Sequence, residues 1–314
     1  MDVAPLYDDV ADGPDGGRGF WLATEDGVRI RIGVWGSGDR GHGDKGTVLI
    51  FPGRTEYVEK YGRAARDLLH RGYSAISIDW RGQGLGQRML PDRALGHVER
   101  FADYQKDVRA VLGAVEALGL AKPLFLLAHS MGGGIGLRSL MEGVAFDAAV
   151  FTGPMWGIAL PAWRRTAGWT LSTISRHAGF DTLLTPGTTR DAYVEANPFP
   201  ENTLTTDPDM YAYMQNQIRN YPDLRLGGPT YAWVNEALKE CRALSMRPTP
   251  NVPVCTFLGS GERIVDVKAI HDRMARWPSG ELVLVDGAEH EVVMEGDAVR
   301  NRIFDKTADL FSTS

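Results

Sequence analysis

Cysteine is scarce: only Cys241 and Cys255 occur among 314 residues. Two thiols cannot form a disulfide framework, and each sits where a small apolar residue fits, in a helical face and in a strand-like run. A reducing compartment is therefore expected. Long apolar runs are also missing, since no window approaches the roughly 18 residues needed to span a bilayer. The first fifteen residues hold five aspartates and neither lysine nor arginine, unlike a secretory signal with its basic start and apolar stretch. Positive charge is in deficit too. A formal net charge of −6 argues against nucleic acid, which needs a clustered basic face to displace counterions from phosphate. Neither H-E-x-x-H nor clustered cysteine and histidine spacing occurs, so no metal is expected. The chain reads as cytoplasmic, with a small molecule as its partner and no cofactor.

What is present is the composition of a globular protein, 43% hydrophobic and 24% charged. Residues 20–24 and 28–35 flank Glu25-Asp26-Gly27, a hairpin signal. A glycine-rich stretch over 36–46 contains a formal G-x-G-x-x-G. Further glycines follow it, and no helical period begins there to cradle a pyrophosphate, so a dinucleotide site is rejected. From residue 47 onward, apolar runs at 47–52, 74–79, 124–129, 148–152, 254–258 and 282–285 alternate with amphipathic segments. Those segments lie near 57–71, 101–118, 131–141, 230–244, 267–277 and 298–311. Continuous apolar strands separated by helices predict an α/β fold, a mostly parallel sheet covered on both faces. Residues 155–228 break the alternation. Their helical periodicity, and the return through Gly227-Gly228-Pro229, predict a helical cap inserted between core segments 1–154 and 229–314.

Sites in open parallel sheets lie beyond the carboxyl ends of the strands. The run ending in Leu127 is followed by Ala128-His129-Ser130-Met131-Gly132-Gly133, and a helix begins at once. Small residues at 128, 132 and 133 permit the tight strand-to-helix turn that exposes a nucleophilic serine, Ser130. Its base should follow a later strand. His290, in Gly287-Ala288-Glu289-His290, stands there, whereas His177 falls in the cap and His271 inside a helix. The orienting acid is expected on the loop after 254–258, and Asp266 is the choice. Glu262 on the same loop is the alternative, and an aspartate opening a helix also reads as an N-cap. Main-chain N–H groups of Met131 and Arg54 are the expected oxyanion donors. Met155, Trp156, Trp163, Leu171, Ile264 and Val292 are the expected substrate-pocket residues.

Four segments together resemble the monoacylglycerol lipase and bacterial lysophospholipase group of the α/β-hydrolase superfamily. They are Pro52-Gly53-Arg54-Thr55-Glu56-Tyr57, Asp79-Trp80-Arg81-Gly82-Gln83-Gly84, His129-Ser130-Met131-Gly132-Gly133 and Gly259-Ser260-Gly261-Glu262-Arg263-Ile264-Val265-Asp266. Asn202-Thr203-Leu204-Thr205-Thr206-Asp207 and Gly228-Pro229-Thr230-Tyr231-Ala232-Trp233 resemble the lysophospholipase branch. Two positions depart from the pattern: Pro52-Gly53 replaces the usual histidine-glycine, and Gly86 replaces a serine. The resemblance implies an α/β-hydrolase fold and metal-free hydrolysis of a single-chain acyl ester, a lysophospholipid or monoacylglycerol. The alternatives on the same triad are a short-chain esterase, a thioesterase or a peptidase, or a catalytically quiet receptor. Residues 155–180 carry Arg164, Arg165 and Arg176 and no acid, which suggests peripheral contact of the cap with a membrane.

Overall fold

The computed structural model describes residues 1–36, 43–159 and 179–314. Its strands are β1 (Asp2–Ala4), β2 (Arg18–Ala23), β3 (Arg29–Trp35), β4 (Thr47–Phe51), β5 (Ser74–Asp79), β6 (Leu124–His129), β7 (Ala148–Thr152), β8 (Val254–Gly259) and β9 (Gly280–Val285). Among the described residues they form one sheet in the order β1-β2-β3-β5-β4-β6-β7-β8-β9. The first four members pair antiparallel, and every pairing from β5 to β9 is parallel. This is the mostly parallel α/β sheet expected from the alternation. The turn between β2 and β3 is the Glu25-Asp26-Gly27 hairpin, closed by Gly27 N–H to the Thr24 carbonyl at 2.9 Å.

Side-chain alternation explains why the parallel strands read as unbroken apolar runs. In β4, Leu49 and Phe51 enter one core, while Val48 and Ile50 enter the other. The first core is closed by α3 (Tyr104–Ala117), α4 (Met131–Met141), α7 (Tyr231–Met246) and α8 (Val267–Met274). The second is closed by α2 (Gly62–His70) and α9 (Asp297–Ser312). Buried ion pairs fix the loops between layers. Arg31 lies between Glu59 and Asp79 at 2.6 and 2.7 Å, and Arg81 between Asp26 and Asp107 at 2.9 and 2.7 Å.

Between β7 and β8 the described chain contains α5 (Tyr193–Ala196) and α6 (Pro208–Asn220). Asp207 caps α6 by accepting from the Met210 N–H at 2.8 Å, and Pro208 occupies the first turn, where its missing N–H costs nothing. This helix rests on the amino-terminal segment around α1 (Asp8–Ala11). Tyr213 donates to the Ala11 carbonyl at 2.6 Å, Gln217 donates to the Val10 carbonyl at 2.9 Å, and Tyr221 stacks on Tyr7 at 3.6 Å. The chain returns to the core through Gly227, whose N–H meets the Ala94 carbonyl at 2.9 Å. Thr230 then caps α7 by accepting from the Trp233 N–H. No helix among the described residues is long and apolar enough to cross a membrane. Both cysteines are free and buried, and burial pushes each thiol up to about 12.

Candidate active site

Ser130 occupies the turn between β6 and α4 with φ +49° and ψ −117°, a backbone conformation that side-chain-bearing residues rarely adopt. Neighbouring contacts hold it there. The Ser130 N–H meets the Thr152 carbonyl at 3.1 Å, and its own carbonyl accepts from Met155 N–H at 2.8 Å. Small residues are required on the helix side. A Cβ at Gly133 would lie 2.6 Å from Pro154 Cβ, and one at Gly132 would lie 2.6 Å from the Pro52 carbonyl oxygen. The sequence therefore folds into the strained nucleophile turn because nothing larger fits between β4 and β7.

Ser130 and His290 line one cavity of about 310 Å³ at the carboxyl edge of the sheet. The imidazole is almost completely buried, and its loop is pinned to the inserted segment by His290 N–H to the Thr203 carbonyl at 3.4 Å and Glu291 N–H to the Leu204 carbonyl at 2.8 Å. Its Nδ1 meets Glu262 Oε2 at 2.6 Å. The other oxygen, Oε1, accepts from the N–H groups of Ile264 and Val265 at 2.6 and 3.0 Å. Burial alone would raise the carboxyl, but the His290 hydrogen bond and charge and the two amides outweigh it and hold Glu262 below its usual range.

Asp266, the acid expected from sequence, has a different task. It is the N-cap of α8, and its Oδ1 accepts from the Ala269 N–H at 3.3 Å. Glu262 stands beside His290 instead: it sits in the turn immediately after β8, which Gly261 N–H to the Ala288 carbonyl holds against the loop carrying His290. The spacing from strand to acid is legible in sequence; which of two carboxylates turns toward the imidazole is decided by loop geometry.

Of the expected pocket residues, Ile264 lines the cavity. Met155 and Trp156 instead pack in the core behind the nucleophile turn. Trp156 donates to the Gly133 carbonyl at 3.1 Å and stacks on Trp277. Val292 is fully buried in the second core. These three follow strand ends, as pocket residues do, but their chains turn inward. Trp163 and Leu171 lie outside the described residues. The apolar wall that sequence reasoning missed comes mainly from the inserted segment: Val194, Leu204, Met214 and Ile218. Arg54 also lines the cavity, and Met131 opens α4, where first-turn N–H groups lack an intrahelical acceptor.

His97 Nδ1 meets Thr230 Oγ1 at 3.0 Å, whereas Glu56 binds the Gly53 N–H and also faces the cavity. Lys60 lies 2.7 Å from both Glu56 and Glu291, and all three are buried. Candidate ligand atoms of Glu56, His129 and Glu291 fall within 4.8 Å of one another. The Lys60 ammonium already supplies the cation that this cluster needs. His129 is wholly buried, with Nδ1 2.9 Å from the Thr152 carbonyl, and burial pushes it down to about 4.

A family model described as "Serine aminopeptidase, S33" (Hydrolase_4) matches residues 42–297. The chain belongs to this family. It is 35% identical over 282 residues to "Lysophospholipase L2" of Escherichia coli (strain K12), covering 86% of this chain and 81% of that relative. It is 31% identical to "Probable lysophospholipase L2" of Haemophilus influenzae, with 82% and 80% covered. Among solved structures, a soluble variant of monoglyceride lipase from Saccharomyces cerevisiae superposes with a TM-score of 0.71 at 20% identity, over 93% of this chain and 94% of that one. A thermostable carboxyl esterase from Bacillus coagulans gives 0.73 at 12% identity, over 96% and 99%. Those two structures speak to the fold. Family membership and the curated relatives identify the chain as a carboxylic ester hydrolase of the α/β-hydrolase fold.

Proposed function

We propose that the protein hydrolyses the acyl ester of a lysophospholipid or monoacylglycerol through a covalent acyl-enzyme, with Ser130, His290 and Glu262 as its triad. The observation that carries this reading is the Glu262-held imidazole opening into the same cavity as a serine on a strained nucleophile turn. Ser130 Oγ attacks the ester carbonyl while His290 takes its proton. Glu262 fixes the tautomer and offsets the imidazolium charge. Main-chain N–H groups of Met131 and Arg54 receive the oxyanion, and His290 returns the proton to the departing alcohol. Water then repeats the sequence on the acyl-enzyme, so no metal or cofactor takes part. The substrate class rests on the relatives' names and on the apolar wall, where each buried CH₂ of an acyl chain is worth about 0.8 kcal/mol. Residues 155–228 act as the cap that supplies this wall. We place the enzyme in the cytoplasm, with the basic stretch containing Arg164 and Arg165 touching the inner face of the membrane. Liposome flotation of a charge-reversed variant tests that contact.

Ser130→Ala should abolish fluorophosphonate labelling and lower kcat on lysophosphatidylcholine or monoolein by about 10⁴-fold or more. Adding His290→Ala should cost little further. A kcat/KM maximum at acetate esters would move the assignment to a short-chain esterase. Failure of Ser130 to label would favour a quiet receptor.

A further inference from the structure

Two cations line the described part of the catalytic cavity, and they differ in company. Lys60 is held between Glu56 and Glu291. Arg54 is not paired with a carboxylate among the described residues, and residues 160–178 contain no aspartate or glutamate. Its Nη1 donates to the Gly227 carbonyl at 2.9 Å, and its Cζ lies 5.4 Å from the Trp233 ring centroid. Those contacts orient the guanidinium while using little of its five-donor capacity. The residue is half-buried, and desolvation depresses its guanidinium to about 10, yet an arginine stays charged at neutral pH. A desolvated charge without a counter-ion among the described residues is costly, and here it belongs to a residue that lines the substrate cavity.

We propose that the Arg54 side chain binds the phosphate of the substrate head group, making the preferred substrate an acylated glycerophosphodiester and not an uncharged monoacylglycerol. This rests on the lipid-ester reading above and narrows it. The guanidinium fork matches the paired oxygens of a phosphodiester, whose single negative charge persists at neutral pH. Reach also fits. In a 1-acyl glycerophosphodiester, phosphorus is as many bonds from the acyl carbon as Arg54 Cζ is from its own amide nitrogen. One residue can thus offer its main chain to the oxyanion and its side chain to the head group.

The test compares 1-oleoyl lysophosphatidylethanolamine with monoolein, in the same neutral-detergent micelles, for the wild type, Arg54→Gln and Arg54→Lys. The readout is the ratio of the two kcat/KM values, in which any effect on the shared acyl-transfer step cancels. Arg54→Gln should lower the ratio by about tenfold or more, equivalent to about 1.4 kcal/mol of lost discrimination, chiefly through KM for the phospholipid. Arg54→Lys should fall between. A ratio unchanged from wild type overturns the proposal. So does an unchanged ratio with weakened inhibition by oleate, which would assign the guanidinium to the product carboxylate. A wild-type enzyme that labels at Ser130 but hydrolyses neither lipid overturns the lipid reading itself, and this inference with it.

Discussion

A carboxylate's position along the chain and its direction in space are separate facts, and Glu262 and Asp266 part on the second. Glu262 contacts His290 at 2.6 Å, whereas Asp266 closes the first turn of α8. Glu262→Gln should retain the fold but lower kcat by about 10³–10⁴-fold, because the amide no longer offsets the imidazolium or enforces its tautomer. Asp266→Ala should instead leave kcat near wild type and cost about 1 kcal/mol of stability through the lost cap. Urea denaturation and steady-state kinetics on both variants separate the two roles; a large kcat loss confined to Asp266→Ala would reverse them. The serine and histidine were readable because each stands directly after an apolar strand run. The acid was readable only to a loop, because Gly259-Ser260-Gly261 lets the chain turn before either carboxylate is placed. Trp156 shows the same limit: it follows a strand end, but its indole turns back to the Gly133 carbonyl.

The elements themselves were largely legible, for a physical reason. Strands buried on both faces carry mostly apolar residues on each, so β4 to β8 announce themselves despite a few buried polar positions such as Ser77 and Thr256, and the helices between them keep one apolar stripe. What escaped was short or composite. β1 has three residues, too few for a period, and the helical stretch near 57–71 divides into a 3₁₀ turn at Val58–Tyr61 followed by α2. The junction of β6 with α4 is where element geometry becomes chemistry. Gly132→Ala would force a methyl group against the ends of Phe51 and Pro52, displacing the nucleophile turn from the oxyanion loop. An active site misplaced by an ångström loses about 10²-fold in rate, and kcat of this variant should fall by at least that. Gly113→Ala in α3 is the matched control. Its added methyl meets nothing within 4 Å, and it should raise stability by about 0.5–1 kcal/mol at unchanged kcat. Equal kinetics for the two variants would refute the steric account.

At the scale of the whole molecule, His129 ties folding to pH. It is enclosed in its neutral form and pushed down to about 4, while an unfolded histidine binds its proton near ~6.5. Between those values the unfolded chain is protonated at this position and the native one is not. Stability is therefore complete above the unfolded value and drains away as the pH falls, by about 1.4 kcal/mol for each unit. Chemical denaturation across this window should show His129→Gln with a shallower slope, by about one proton; parallel slopes would exclude His129 as the source. The other long-range tie is at the amino terminus. Val10 and Ala11 accept hydrogen bonds from α6, while Tyr7 and Asp9 hold Tyr221 just past its end, and α6 contributes Met214 and Ile218 to the cavity wall. Those opening residues therefore work as a buckle, fastening substrate-facing side chains to the sheet from outside. Trimming them or loading them with a bulky fusion would slacken the acyl pocket without touching a reacting atom.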